Sequence, residues 1–211
     1  MATTAAPGKA SATPAISAAI FQQDRFYARK SALSWAPKVY FYDEHGNTLA
    51  FVRNLASLWS RDIRVFTDSG LSFELLAIKP LAGRNSSLVF EITDSVNHER
   101  VGAIRQLHLG WMHRQQWSLI DCRDEEVAIV SEGSLLLGGL RRFVTELLPQ
   151  SYTFRSGECD IGTATQNGSL FNSEMEIDLG ADHEKRLDRR LVTAMVVLLL
   201  ASSAQPLAGS E

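Results

Sequence analysis

The run Leu191–Leu200 limits what this chain can fold into more than any other feature, because nearly every side chain in it is apolar. It belongs to the one long helix that the periodicity predicts, over about 183–203, with Leu187, Leu191, Met195 and Leu198 at helical spacing. From Met195 to Leu200 all six residues are apolar. Six residues at about 100° each go fully round the axis, so this part has no polar face and must be enclosed by protein or by lipid. Length separates the two. Ten helical residues make about 15 Å, whereas a bilayer core is about 30 Å thick and needs about 20 residues. Extending the uncharged run to Gln205 reaches only about 23 Å. A strand of six or seven residues spans about 20 Å. The helix therefore matches the inside of a β-barrel, with Leu191, Met195, Val196, Val197, Leu198 and Leu199 as its core residues. Burying eight such side chains contributes on the order of 12–24 kcal/mol before conformational entropy is counted. Asp182 is the expected N-cap, with Glu184 in the first turn.

The rest of the chain alternates apolar and polar residues with the period of strands. One module recurs: an alternating run, an Asp in a polar turn, and a second alternating run. Copies span Lys38–Arg53, Asp62–Leu75, Ser87–Ile104 and Gln116–Val130, and a weaker one without the Asp spans Ser151–Ile161. The turn aspartates are Asp43, Asp68, Asp94 and Asp121, spaced by 25, 26 and 27 residues. Asp bonds its own backbone two residues on, and Gly or Asn accepts positive φ, so each module reads as an antiparallel hairpin. Calcium ligation is the functional alternative, but no D-x-[DN]-x-[DN]-G loop is present. Return segments are expected within Leu55–Trp59, Ala77–Leu81, Arg105–Met112 and Leu135–Phe143. The count comes to about twelve strands, and a sheet that large closes to protect its edges. The expected class is mainly β: a closed antiparallel barrel around one buried helix.

The 211 residues, 45% hydrophobic and 21% charged, suit one globular domain. Residues 1–22, rich in Ala, Ser, Thr and Pro, read as a disordered tail, 23–204 as the domain and 205–211 as a second tail. The net charge of −3, from 21 basic and 24 acidic residues, argues against a nucleic-acid partner. Two cysteines, Cys122 and Cys159, are too few for a disulfide scaffold and are expected as thiols. No P-loop, nucleophile elbow, dinucleotide fingerprint or zinc spacing occurs, so a non-enzymatic, cytoplasmic binding or scaffolding protein is expected. His108 and His113 near Asp121 suggest a two-His-one-carboxylate site, but five-residue spacing in a strand puts the imidazoles on opposite faces.

Basic residues cluster at Arg25, Arg29, Lys30 and Lys38, at Arg141 and Arg142, and at Lys185, Arg186, Arg189 and Arg190. Converging at one barrel end, Arg29, Lys30, Lys38, Arg141, Arg142, Arg189 and Arg190 would hold a phosphorylated lipid headgroup at a membrane surface. Spread out, they solvate strand ends and the helix start. Trp35, Trp59 and Trp111 are candidates for an interfacial or protein-binding patch, with barrel packing the plainer reading.

Three pieces of this pattern resemble the tubby C-terminal-like superfamily, above all its LURP-one-related and phospholipid-scramblase branch. They are Tyr27–Trp35 leading into Val39–Val52, the hairpin at Trp117–Asp121, and Leu187–Val197. The resemblance covers roughly residues 23–204 and lies in pattern and order. It implies a twelve-stranded antiparallel barrel threaded by the C-terminal helix. It further implies either phosphoinositide-type lipid binding through surface Lys and Arg or calcium-dependent lipid movement; a protein-interaction module with no lipid role is the remaining alternative. The scramblase branch carries an acidic calcium-binding segment before the helix. The matching stretch here is Glu174–Glu184, which makes Glu176, Asp178, Asp182 and Glu184 calcium candidates. Its alternation with Met175, Ile177 and Leu179 is equally that of a strand with one wet face.

Overall fold

The computed structural model describes residues 15–31, 37–53, 55, 62–81, 88–107, 116–133, 150–169 and 172–202. The alternating runs form strands β1 (Arg25–Ser31), β2 (Lys38–Tyr42), β3 (Thr48–Val52), β4 (Ile63–Phe66), β5 (Glu74–Leu81) and β6 (Val89–Asp94). They continue as β7 (Glu99–Leu107), β8 (Gln116–Asp121), β9 (Glu126–Glu132), β10 (Ser151–Ser156), β11 (Cys159–Ser169) and β12 (Asn172–Asp178), followed by helix α1 (Arg189–Ser202). Each strand pairs antiparallel with its sequence neighbours, and β1 pairs with β12, so the twelve described strands close into a barrel. The seam runs in register from Arg25 opposite Asp178 to Ser31 opposite Asn172. All five expected hairpin modules are present as β2–β3, β4–β5, β6–β7, β8–β9 and β10–β11. Of the expected return segments, Ala77–Leu81 lies in β5 and Arg105–Leu107 in β7. Leu55 is described, whereas Ala56–Trp59, His108–Met112 and Leu135–Phe143 lie outside the described residues.

The turn aspartates act as their chemistry dictates. Asp43 Oδ1 accepts the backbone N–H groups of His45 (2.9 Å) and Asn47 (2.8 Å), and Asp68 Oδ1 accepts that of Gly70 (2.7 Å). Asp94 Oδ1 accepts from Val96 (2.9 Å) and Asn97 (3.1 Å), and Asp121 Oδ1 from Arg123 (2.8 Å) and Glu125 (3.0 Å). These are Asx turns, which satisfy backbone donors where the chain reverses. At Gly102 in β7 the backbone has φ +155°, and a Cβ there would sit 2.1 Å from the carbonyl oxygen of Ile120 on β8, so only glycine fits.

The inward residues of the strands meet the helix. Phe26, Phe41, Phe90, Trp117 and Phe154 are buried in the wall lining, and every α1 residue from Leu191 to Ala201 is buried among them. No helix of the described residues is long and apolar enough to cross a membrane. The expected core residues Leu191, Met195, Val196, Val197, Leu198 and Leu199 are all fully enclosed.

Two boundaries differ from expectation. The tail assigned to residues 1–22 includes a 3-10 helix at Ala15–Gln22 that packs against α1 and β3 and buries Ile20 completely. Ile20, with Ala19 and Phe21 packed beside it, supplies the apolar surface that docks it. The helix starts at Arg189, six residues later than expected. Its N-cap is Asp188, whose carboxylate accepts the N–H of Arg190 at 2.8 Å and whose carbonyl accepts that of Val192 at 3.1 Å. Asp182 caps an earlier turn, accepting the N–H groups of Arg186 (2.8 Å) and Leu187 (3.1 Å).

The barrel has two distinct ends. The Asx turns and the α1 N-terminus share one, here the turn end. The α1 C-terminus lies at the other, the exit end, where Lys30 Nζ donates to the carbonyl of Leu200 at 3.0 Å. Leu198→Ala should lower stability to urea by about 2–5 kcal/mol, the usual cost of an unfilled core site. Val197→Asp and truncation after Arg190 should each yield no folded protein by far-UV circular dichroism. A folded, soluble truncation product would show that the barrel stands without its helix.

Candidate functional site

Charge divides along the barrel axis. The turn-end segments 24–25, 43–48, 67–74, 94–100, 121–126, 155–160 and 178–190 hold seventeen of the chain's 24 acidic residues and eight of its 21 basic ones. All eight of these cations are ion-paired. Arg25 engages Asp178 and Glu176, Arg100 engages Asp124, Arg123 engages Asp121, and Arg155 engages Asp160. Lys185 pairs with Asp24 at 2.6 Å and Arg186 with Glu184 at 2.7 Å.

Arg189 and Arg190 open the helix, where the macrodipole is positive and cations are disfavoured. Carboxylates offset this. Arg189 is 6% exposed and donates to Asp182 Oδ2 and Asp24 Oδ1, each at 2.6 Å, with Asp182 itself fully enclosed. Arg190 donates to Asp188 at 2.6 Å and to the turn aspartate Asp94 at 2.9 Å. The Asp188 hydrogen bond holds the Arg190 guanidinium above its ordinary pKa. Hydrogen bonds from Lys185 and then Arg189 hold the Asp24 carboxyl below the usual carboxylate value. At Asp94 desolvation pushes upward, but the Arg190 hydrogen bond and the N–H groups of Asn97 and Val96 outweigh it and the net shift is down. These two arginines therefore tie the helix start to β1 and to the β6–β7 turn. To act as headgroup ligands, as the sequence suggests, each would have to abandon partly or fully buried carboxylates.

The calcium candidates do not form one cluster. Glu176 and Asp178 face Arg25, Asp182 holds Arg189, and Glu184 holds Arg186. Among the described residues no three His, Cys, Asp or Glu side chains converge as a metal site. Arg141, Arg142, His108, His113, Trp35, Trp59 and Trp111 lie outside the described residues. Cys122 and Cys159 are free and exposed, both at the turn end.

The exit end has the opposite character. Arg29, on the outer face of β1, donates to Glu174 at 2.9 and 2.5 Å and lies 5.6 Å from the Tyr42 ring centroid. Lys30 turns inward, and burial lowers its pKa while its ammonium caps the negative end of the helix dipole. Lys38 begins β2 and Arg53 follows β3. The pairing of Val39 with Val52 brings these two cations side by side. Lys79 on β5 stands opposite Glu91 in register without forming an ion pair, and Arg105 on β7 faces Val89 and Ser118. Among the described residues Lys30, Lys38, Arg53, Lys79 and Arg105 are the cations with no carboxylate partner, and all five lie in the exit-end half, on or beside β1, β2, β3, β5 and β7. Sequence clustering singled out Lys30 and Lys38 but missed Arg53, Lys79 and Arg105, which stand alone in the sequence. The signal for them was their position within two residues of the exit-end tip of a strand. On the outer wall a groove of about 410 Å³ crosses β9 between Gln116 and Arg155, floored by Val127 and Ile129.

Breaking the buried pair by Asp182→Asn should cost about 3–5 kcal/mol, because it leaves the Arg189 charge enclosed and half-partnered. The lowered carboxyls also set a pH dependence. Their folded-state pKa lies below the ordinary 3.8, so the stability they add is complete above that value and is lost as pH falls through the folded pKa. Urea midpoints should drop steeply below about pH 4, and Asp24→Asn with Asp94→Asn should flatten the drop. Comparison of the chain with protein-family models, with curated proteins and with solved structures returns no match.

Proposed function

We propose that this chain is a non-enzymatic module that binds an anionic, phosphoinositide-type membrane surface peripherally, on the cytoplasmic side, through the cations of its exit end. The supporting observation is the partition of ion pairs. The described cations of the turn end are all engaged, whereas Lys38, Arg53, Lys79 and Arg105 have no carboxylate to give up; Lys30 is already held inward by the Leu200 carbonyl. An engaged cation must trade one anion for another and gains little. An unengaged one gains the full attraction of a lipid surface, about 1 kcal/mol per Lys or Arg. The likeness of the hairpins and helix to tubby-like and scramblase-like domains belongs to the same reading, as does membership of that group.

Co-sedimentation with phosphatidylcholine vesicles, with and without phosphatidylserine or phosphoinositide, tests it. Binding should require the anionic lipid and fall as salt rises, because the attraction is screened over about 8 Å at physiological ionic strength. Lys38→Gln with Arg53→Gln should weaken it about 30-fold, at about 1 kcal/mol per charge. Binding indifferent to both anionic lipid and salt, or no binding at all, would refute the reading.

A further inference from the structure

The turn end and the exit end differ enough in charge to dictate a direction of approach. Resting on the lipid-binding reading above, we propose that the barrel docks end-on, with the exit end and the α1 C-terminus against the anionic bilayer and the turn end pointing away from it.

The argument is electrostatic. The turn-end segments carry seventeen acidic against eight basic residues, a local charge of −9, whereas the whole chain carries −3. The described residues outside those segments hold seven basic and five acidic residues, a local charge of +2. A barrel lying on its side would bring the acidic turns within a few ångströms of lipid phosphates, and juxtaposed like charges cost several kcal/mol. Standing on end removes that cost. The fourteen residues of α1 span about 21 Å, more than two Debye lengths at physiological ionic strength. At that distance the acidic end is screened from the surface that the exit-end cations touch.

The cations without carboxylate partners, Arg53, Lys79 and Arg105 exposed and Lys38 half-buried, are also arranged for this pose. Lys38, Arg53, Lys79 and Arg105 lie on or beside β2, β3, β5 and β7, within the half of the strand order that runs from β2 to β7. An arc of charges near one mouth meets a plane set across the barrel axis. On the side wall no more than part of it reaches a plane at once. Apolar exposure does not compete with this. Phe73 and Val96 are exposed at the turn end and Leu81 at the exit end, single side chains of the kind any surface carries.

The chain supplies its own reporters. Cys122 and Cys159 are both exposed and both at the turn end. In the unaltered protein their rates of modification by a water-soluble maleimide are measured free and bound to phosphatidylserine-containing vesicles, with the bound fraction read by co-sedimentation. In a Cys122→Ser, Cys159→Ser background, Leu81→Cys carries a fluorophore to the exit end. A lipid-borne shallow quencher then reports its depth.

End-on docking predicts unchanged modification rates for both native thiols and severalfold quenching at position 81. Protection of Cys122 or Cys159 on binding overturns the orientation while the lipid-binding reading survives. Bound protein with no quenching at position 81 does the same. No co-sedimentation under any lipid composition overturns both.

Discussion

A helix without a polar face has nowhere to go but inside, and this constraint organises the whole molecule. Because α1 is apolar all round from Met195 to Leu200, its enclosure has to be complete, which a two-layer packing cannot provide. A closed sheet does provide it, and closure also removes the unpaired strand edges that would otherwise invite aggregation. The inward aromatic residues of the wall, such as Phe41 and Trp117, are enclosed by the same contacts. Helix and barrel thus solve each other's desolvation problem, and neither is a separable unit.

Hydrophobic burial is non-directional, so it holds the helix inside without saying how far along the axis it sits. Electrostatics supplies that information at both ends. At the N-terminus Asp188 caps the backbone while Arg189 and Arg190 reach Asp24, Asp182 and Asp94 on surrounding elements. At the C-terminus Lys30 meets the carbonyl of Leu200. A one-residue slide would move α1 by about 1.5 Å and rotate it by about 100°, which would break both sets of contacts at once. The cost of this pinning is a buried ion pair whose Arg189 Nε has no partner. Such groups contribute more to a unique arrangement than to raw stability. The same allocation leaves the turn end acidic with all of its cations paired, and it leaves the spare cations at the exit end.

Local chemistry made much of the fold readable in advance. An Asx turn needs only Asp and a permissive residue a few places on, so the hairpins at Asp43, Asp68, Asp94 and Asp121 were legible from spacing alone. The enclosed helix was legible from its length and its missing polar face. The helix start was not, because Asp182 and Asp188 are both plausible caps. What decides between them is tertiary: Leu179 and Leu187 bury themselves across the barrel mouth, and Asp182 is held there by Arg189. The docked Ile20 was hidden in a tail-like composition for the same kind of reason. The candidate site was the least legible part. Arg29 with Glu174, and Arg189 with Asp24, pair across more than 140 residues, so adjacency in sequence says nothing about which cations are spent. A run of basic residues before the helix reads as a binding patch in the sequence, while in the fold Arg189 and Arg190 tie the helix start to Asp24, Asp182 and Asp94.

Native-state hydrogen exchange reads the enclosure of the helix most directly. Amides of 191–200 should be among the slowest in the molecule, exchanging only through global unfolding together with the barrel strands. Exchange of these amides at free energies well below that of the strands would mean that the helix leaves an intact barrel, and would contradict the account at its centre.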